Sequence, residues 1–336
     1  MLSSARPVSW TTYLLGGVAA HSAVECGDTV WKTRPTAHIM DVGKMDVSRT
    51  APSTIVLLKR AIAPTAWAFQ PLAVARHFRP HRYLLWQLVR RQVQAQYRGS
   101  WLGAVWSLLT PLVMLGVYTF VFSVVFQSRW GTAQPGGRLD FALHLFAGLT
   151  AFNLFAQSLT SAPGLILAHP NYVKRVVFPL EVLPLARFLA NLVETSLSFL
   201  VFLAVAVLVR GELPWTVVLL PVALLPLALL SLGCAYFLAA LGVFVRDIQN
   251  VIGLAVTVLM FMSTIFFPLA SVPPRLQRVL AMNPLVPIIE DVRRVAIEGL
   301  PPHWGTWAVV TAIGGLACMG GLAWFMRLKS ALADVL

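Results

Sequence analysis

Charged side chains are scarce in this chain. Asp, Glu, Lys and Arg together make up 12% of its 336 residues, about half of the ~25% found in soluble domains. Acids are the scarcer sign, 13 against 26 Lys and Arg. With 58% of residues in the apolar set AVILMFWYC, the composition excludes a soluble globular domain and a disordered chain. Cysteine is nearly absent: Cys26, Cys234 and Cys318 lie far apart, with no spacing for a disulfide framework, a zinc site or a redox pair. Enzyme signatures are missing too. No G-x-x-x-x-G-K-[ST] occurs, and the one Gly-Lys pair, Gly43-Lys44, is followed by Met45, so the chain has no phosphate-cradling loop of its own. H-E-x-x-H, C-x-x-C and G-x-S-x-G are likewise absent.

What remains is apolar sequence, with a mean hydropathy of +0.75. From Gly99 onward, charges bracket long uncharged runs, each able to supply the ~20 apolar residues that cross about 30 Å of hydrocarbon. The pattern predicts an all-α membrane protein with six transmembrane helices, near 104–127, 141–164, 182–209, 214–244, 250–270 and 306–327. Together they form a transmembrane domain over 100–330. The net charge of +13 then marks loops facing anionic lipid, and nucleic acid is not an expected partner. With the N-terminus inside, Arg76, Arg79, Arg82, Arg90, Arg91, Arg98, Lys174, Arg175, Arg187, Arg246, Arg327 and Lys329 fall on the cytoplasmic side. The opposite side receives the smaller set Arg129, Arg138, Arg210, Arg275, Arg278, Arg293 and Arg294. That bias predicts both termini in the cytoplasm.

Residues 1–80 differ in kind, being rich in Ser, Thr, Pro and His without a long uncharged run. The apolar stretch Tyr13 to Ala20 follows Arg6 in the manner of a signal peptide. Cleavage there would put the basic stretch after Arg76 outside, against the charge bias. A poorly ordered cytoplasmic extension is the expectation, with Met45 as an alternative start. Residues 81–99 read as an interfacial amphipathic helix. Trp86, Val89, Val93 and Tyr97 share one face with Leu85 and Leu88 beside them, opposite Gln87, Arg91, Gln94 and Arg98. Between spans two and three, His169 to Arg175 is a basic loop that Pro170 can start and Pro179 can end as a short helix. It is either a solvated loop or a handle for a soluble partner. Between spans five and six, Pro273-Pro274 and Asn283-Pro284 punctuate two short pieces. The second places Ile288, Ile289, Val292, Val295 and Ala296 on one side, with Glu290 near Arg293 and Arg294. Both are too short to span, and two short outer re-entrant helices before the last span fit the length.

Glu194 is the one acid well inside a span, about 20 Å beyond Glu181 at 1.5 Å per residue. It is a structural or water-lining carboxyl, or else a proton carrier. Tyr118, Phe122 and Phe126 recur every four residues on span one, and Phe261, Phe266 and Phe267 lie at the end of span five. Two readings stand for these rings: a lipid-facing belt, or a conduit whose faces stack on sugar rings.

The stretch Trp86-Gln87-Leu88-Val89-Arg90-Arg91, with Gln96-Tyr97-Arg98-Gly99-Ser100-Trp101-Leu102-Gly103, Trp106-Ser107-Leu108-Leu109-Thr110-Pro111 and Val117-Tyr118-Thr119-Phe120-Val121-Phe122, resembles the membrane subunit of ABC-2-type polysaccharide exporters, the permeases for O-antigen, capsule and teichoic acid. The likeness returns at Asn171 to Pro179, at Val245-Arg246-Asp247-Ile248, at Phe267-Pro268 and at Asn283-Pro284-Leu285, covering roughly residues 80 to 330 and looking most like the O-antigen branch. The resemblance implies a homodimer with two ATP-binding cassette subunits in a bacterial inner membrane, exporting a lipid-linked glycan from cytoplasm to periplasm. No cofactor is implied in this chain; ATP and Mg belong to the partner subunit. Asn171, Tyr172, Val173, Lys174 and Arg175 then look like a coupling helix to the ATPase, and Trp86, Arg90, Arg91 and Arg98 fall on the interface helix. Capsule or teichoic acid export is the near alternative. A proton-coupled secondary transporter using Glu194, or a membrane scaffold, is the distant one.

Overall fold

Residue 68 and residues 70–97, 105–121, 138–169, 178–245, 247–267, 269 and 272–335 are described in this computed structural model. All of them belong to one unit, Pro52–Leu336. Among these residues the structure is all-helical, without a strand. The elements are α1 (Pro71–Phe78), α2 (Arg82–Tyr97), α3 (Trp106–Tyr118), α4 (Arg138–Ser161), α5 (Val182–Arg210), α6 (Leu220–Phe244), α7 (Ile248–Phe261), α8 (Pro274–Ala281), α9 (Leu285–Arg293) and α10 (Trp304–Val335). Four helical stretches are long and apolar enough to cross a membrane: Asp140–Ser161, Val182–Arg210, Trp215–Phe244 and Trp304–Lys329. They match the second, third, fourth and sixth expected spans. Two shorter apolar helices, Leu108–Val121 and Ile248–Phe261, occupy the first and fifth positions. The first is followed by residues 122–137, outside the described set. The fifth stops at Phe261, short of the expected 270, because the backbone breaks there and Thr264 turns to a left-handed φ of 54°.

The most hydrophobic helices lie at the periphery. The α5, α6 and α10 windows have hydropathies of 2.4, 2.5 and 1.8, and a third or less of each is buried in protein. The α4 window has a hydropathy of only 1.2 but is 83% buried. Thus α4 is the central helix, shielded from lipid by its neighbours, and it can carry His144, Thr150, Ser158 and other polar side chains that a lipid-facing helix could not.

The two ends of the bundle are tied differently. At the end where α5 begins and α10 finishes, the buried carboxylate of Glu181 accepts hydrogen bonds from His77 Nε2 (2.8 Å) and Lys329 Nζ (2.7 Å). The Tyr236 hydroxyl donates to the Glu181 carbonyl at 2.9 Å. One residue therefore joins α1, α5, α6 and α10. At the opposite end Arg210 pairs with Asp140 and donates to the Ile297 carbonyl, and Thr216 Oγ1 donates to Val295 O at 2.7 Å.

That second end also holds Arg293, fully buried despite its charge. Its Nε donates to His144 O (2.9 Å), Nη1 to Thr264 O (3.0 Å) and Nη2 to Ile265 O (2.8 Å). Glu290 lies 3.6 Å from Nη1. A helix ending at this depth leaves its last carbonyls without partners. Arg293 supplies them for the segment after α7, and Asn283 Nδ2 adds a bond to Met262 O at 3.2 Å. Gly148 leaves the room: a Cβ there would lie 2.8 Å from Arg293 Nη2.

Helices α6 and α10 pack backbone to backbone. A Cβ on Gly233 would fall 2.4 Å from Ala317 C, and one on Gly321 would fall 2.1 Å from Gly233 O. Small residues are what permit such an approach between membrane helices. Gly321→Val should therefore push the pair apart and cost about 1–3 kcal/mol, read as a fall of several degrees in Tm of the detergent-solubilised protein. Gly320→Ala, next door with open space around it, should leave Tm unchanged.

Candidate functional site

Polar side chains inside an apolar bundle need either partners or water. On α4, Thr150, Asn153, Gln157 and Ser161 recur at steps of three and four residues, so they form one stripe on the helix. The first three face a cavity of about 390 Å³ enclosed by α2, α3, α4 and α5. From α3 come Trp106, Thr110, Pro111, Met114 and Tyr118, and from α5 Glu194, Thr195 and Ser198. Gln96 reaches in from α2 and donates from Nε2 to Glu194 Oε2 at 2.9 Å. The Ser198 hydroxyl is spent on the Glu194 carbonyl at 3.2 Å, whereas Gln157 Oε1 is buried without a protein partner. Among the described residues no Lys or Arg lines this chamber. Amides, hydroxyls and one carboxylate alternate with the rings of Trp106, Tyr118 and Phe146. That lining suits a neutral, polyhydroxylated guest: hydrogen bonds for hydroxyls, aromatic faces for apolar ring faces, and no cation to hold an anion tightly.

A second cavity, of about 540 Å³, lies between α2, the end of α4, the turn that follows it, and the start of α5. Its character is basic. Arg91, Arg187 and His169 line it with Gln92, Ser161 and several apolar residues. Burial, and after it the charge of Arg91, pushes the His169 imidazole below its usual value. Gln96 belongs to both linings, so the Gln96–Glu194 bond stands at the partition between the two cavities.

The sequence-predicted residues fall out as follows. Glu194 and Tyr118 come together on the chamber. Phe122 and Phe126 lie outside the described residues. Phe261, exposed, stacks on half-buried Phe266 with ring centroids 5.3 Å apart, and neither these nor Phe267 lines the chamber. The coupling residues Asn171, Tyr172, Val173, Lys174 and Arg175 lie outside the described residues, as does Arg98. Their flank is described, and it ends at Glu181. On α2, Leu88 and Val89 pack against Val182 and Ala186 of α5, while Trp86, Arg90 and Arg91 are exposed. The helix has thus turned its Leu88–Val89 edge inward, and Trp86 faces outward. Arg294 donates from Nε to Pro301 O at 3.3 Å. Sequence reasoning missed Gln96, Asn153, Gln157, Glu181 and Arg293. The α4 stripe was a usable signal for two of them. Arg293 follows Ile289 by four residues, which puts it on the buried side of α9.

Comparison with known proteins agrees with this architecture. A family model for the ABC-2 type transporter matches residues 83–296, more than half of the chain. The chain therefore belongs to the ABC-2 type transporter membrane family. It is 30% identical over 230 residues to an O-antigen export system permease protein, RfbA, of Myxococcus xanthus, covering 68% of this chain and 85% of that one. A protein of the same name from Klebsiella pneumoniae is 24% identical over 259 residues, 75% of this chain and 95% of its own. The polysialic acid transport protein KpsM of Escherichia coli is 25% identical over 230 residues, 63% and 80% of the two chains.

Glu181 yields a pH prediction. Burial alone would raise its pKa, but the hydrogen bonds from Lys329 and His77 outweigh it and hold the carboxyl below its usual value of 4.5. A depressed folded-state pKa stabilises above the unfolded value, and that stability is lost as pH falls through the folded value. Lys329→Gln removes the larger opposing bond, so the carboxyl protonates at higher pH. The variant should melt lower than the parent at pH 7 and lose less of its melting temperature on acidification, because the gap between its unfolded and folded pKa values is narrower; a parent-like loss over the same pH range would contradict the clamp.

Proposed function

We propose that this chain is the membrane-spanning permease subunit of an ATP-driven exporter that moves a lipid-linked polysaccharide, O-antigen-like, from the cytoplasm to the periplasm. The observation that carries this reading is the polar chamber, lined among the described residues by amides, hydroxyls, one carboxylate and aromatic rings and bounded by the interface helix. Relatives named as O-antigen export permeases support the cargo class. In this reading α3 and α7, with the residues next to them, complete six spans. The α8–α9 pair is re-entrant on the periplasmic side, both termini are cytoplasmic, and the bacterial inner membrane is the location. Two copies assemble with two ATP-binding cassette subunits, which hydrolyse ATP with Mg; this chain is a transport subunit and no enzyme. Motion enters through residues 171–175, whose flank is clamped at Glu181, and through the exposed face of α2. A polymer must slide, and weak, direction-tolerant contacts allow that where a charged, tight site would stall it. The polysialic acid transport relative supports capsular polysaccharide as the second cargo.

Export of glycan to the cell surface tests this. Asn153→Trp should fill the chamber and stop export while the complex still assembles and hydrolyses ATP; normal export would remove the chamber from the path. Glu194→Gln keeps size and a hydrogen bond to Gln96, and export should be largely retained; complete loss in a stable, ATPase-active complex would revive the proton-carrier role. Lys174→Glu with Arg175→Glu should leave the permease folded but separate ATP hydrolysis from export, and normal coupling would exclude residues 171–175 as the drive point.

A further inference from the structure

The chamber beside α4 holds a carboxylate whose charge is left in place. Glu194 lies near the middle of α5 and lines the chamber. Its Oε2 accepts a hydrogen bond from Gln96 Nε2 at 2.9 Å. Gln96 is neutral, so the bond orients the carboxylate without cancelling its charge. Among the described residues nothing donates to Oε1, and that oxygen is not sealed in protein; it is open to the chamber. No Lys, Arg or His among the described residues pairs with Glu194. Arg187 stands two turns earlier on the same helix, about 10 Å along the axis, and lines the other cavity. A carboxylate in a confined space acts over several Å, because packed protein screens less than water does. It accepts hydrogen bonds and gives none. A sugar hydroxyl can donate to it, whereas a sugar carboxylate meets it acceptor to acceptor and charge to charge.

We infer that Glu194 is the charge filter of the chamber: it admits uncharged, hydroxyl-rich glycans and rejects those whose sugars carry carboxylates. Gln96 is its positioning residue, holding Oε2 so that Oε1 faces the guest. The filter presupposes the chamber's role as the glycan path and narrows that role to one class of cargo. An uncharged chain slides past Oε1 as one hydroxyl donor replaces the next. The rings of Trp106, Tyr118 and Phe146 meanwhile take the apolar faces of its sugars. A chain of uronic or sialic acids instead brings a like charge past the same oxygen at every acidic unit, and like charges in a shared low-dielectric site oppose one another. Of the two cargoes proposed above, capsular polymers of the acidic kind are thereby disfavoured, and uncharged ones are not.

Saturation-transfer NMR on the full-length protein in phosphatidylcholine nanodiscs reads the discrimination, with maltohexaose as the neutral probe and hexagalacturonate as the acidic one. The parent should saturate maltohexaose and bind hexagalacturonate about tenfold more weakly, the size expected of one like-charge contact in a partly screened site. Glu194→Gln should bring the two affinities together, and Glu194→Lys should invert their order. Gln96→Leu frees the carboxylate to turn and should narrow the ratio; a merely structural Gln96 would change both affinities alike. Added salt should narrow the parent's ratio and leave that of Glu194→Gln where it is. Should Glu194→Lys fail to fold, Glu194→Gln and the salt dependence decide. Equal affinity of the parent for both probes, or a parent-like ratio in Glu194→Gln, overturns the filter and leaves the glycan path standing. Maltohexaose saturation that survives Asn153→Trp, or saturation of neither probe by the parent, removes the chamber from the path and the filter with it.

Discussion

Backbone that leaves the helical path inside a packed bundle has no water to meet, and this structure answers that constraint chiefly with one buried guanidinium. Arg293 gives three N–H groups to carbonyls of His144, Thr264 and Ile265. Those carbonyls belong to the central helix α4 and to the broken segment after α7. Without it the turn after Met262 would leave buried carbonyls unpaired, each at a cost of about 1–3 kcal/mol. The left-handed Thr264 and the early end of α7 mark the break that Arg293 serves, and the missing side chain at Gly148 leaves it room. The opposite end is held by an acid, Glu181, in the same manner: a single charged group, fully enclosed, with partners from several helices.

Both hubs are charged residues near helix ends, and both were hard to see in the sequence. A hydropathy reading treats charges as the punctuation between spans, so it leaves Glu181 between spans and Arg293 on the second short outer piece. What turns them inward is tertiary: Arg293 follows the apolar face of α9, and Glu181 is met by Lys329 from 148 residues away. The four long spans, by contrast, were legible because their signal is local, an uncharged run of sufficient length. The helix expected over 81–99 is observed from Arg82 to Tyr97, and of its expected apolar face Val89, with Leu88 beside it, is buried while Trp86 is exposed. Leu88 and Val89 won over Trp86 because small α5 residues such as Ala186 fit against them, and an indole is better placed where its N–H can meet water.

The candidate site was partly legible for the same reason. Glu194 stood out as a lone acid in an apolar run, and it does face the chamber. Its neighbours Asn153 and Gln157 were hidden in the least hydrophobic span, where a polar stripe is diluted by Phe and Leu. The aromatics divide: Tyr118 reaches the chamber, while Phe261 and Phe266 stack on each other at the far end of α7. On α4, the most buried of the long spans, polar residues at helical spacing line the chamber; of the aromatic stripe on span one, Tyr118 is the described member and it lines the chamber too.

The glycine seam between α6 and α10 has a mechanical meaning. Two helices in backbone contact have no compliant side chains between them, so they deform as a single beam. Of that beam, α10 is the longer member: its 32 residues extend about 48 Å at 1.5 Å per residue, more than the about 30 Å of a hydrocarbon slab. A stiff rod that overhangs its support is a lever, and Lys329, in its last two turns, is fastened to Glu181 at the foot of α5. A displacement of that foot is therefore passed to α10 through Lys329 and, across the seam, to α6.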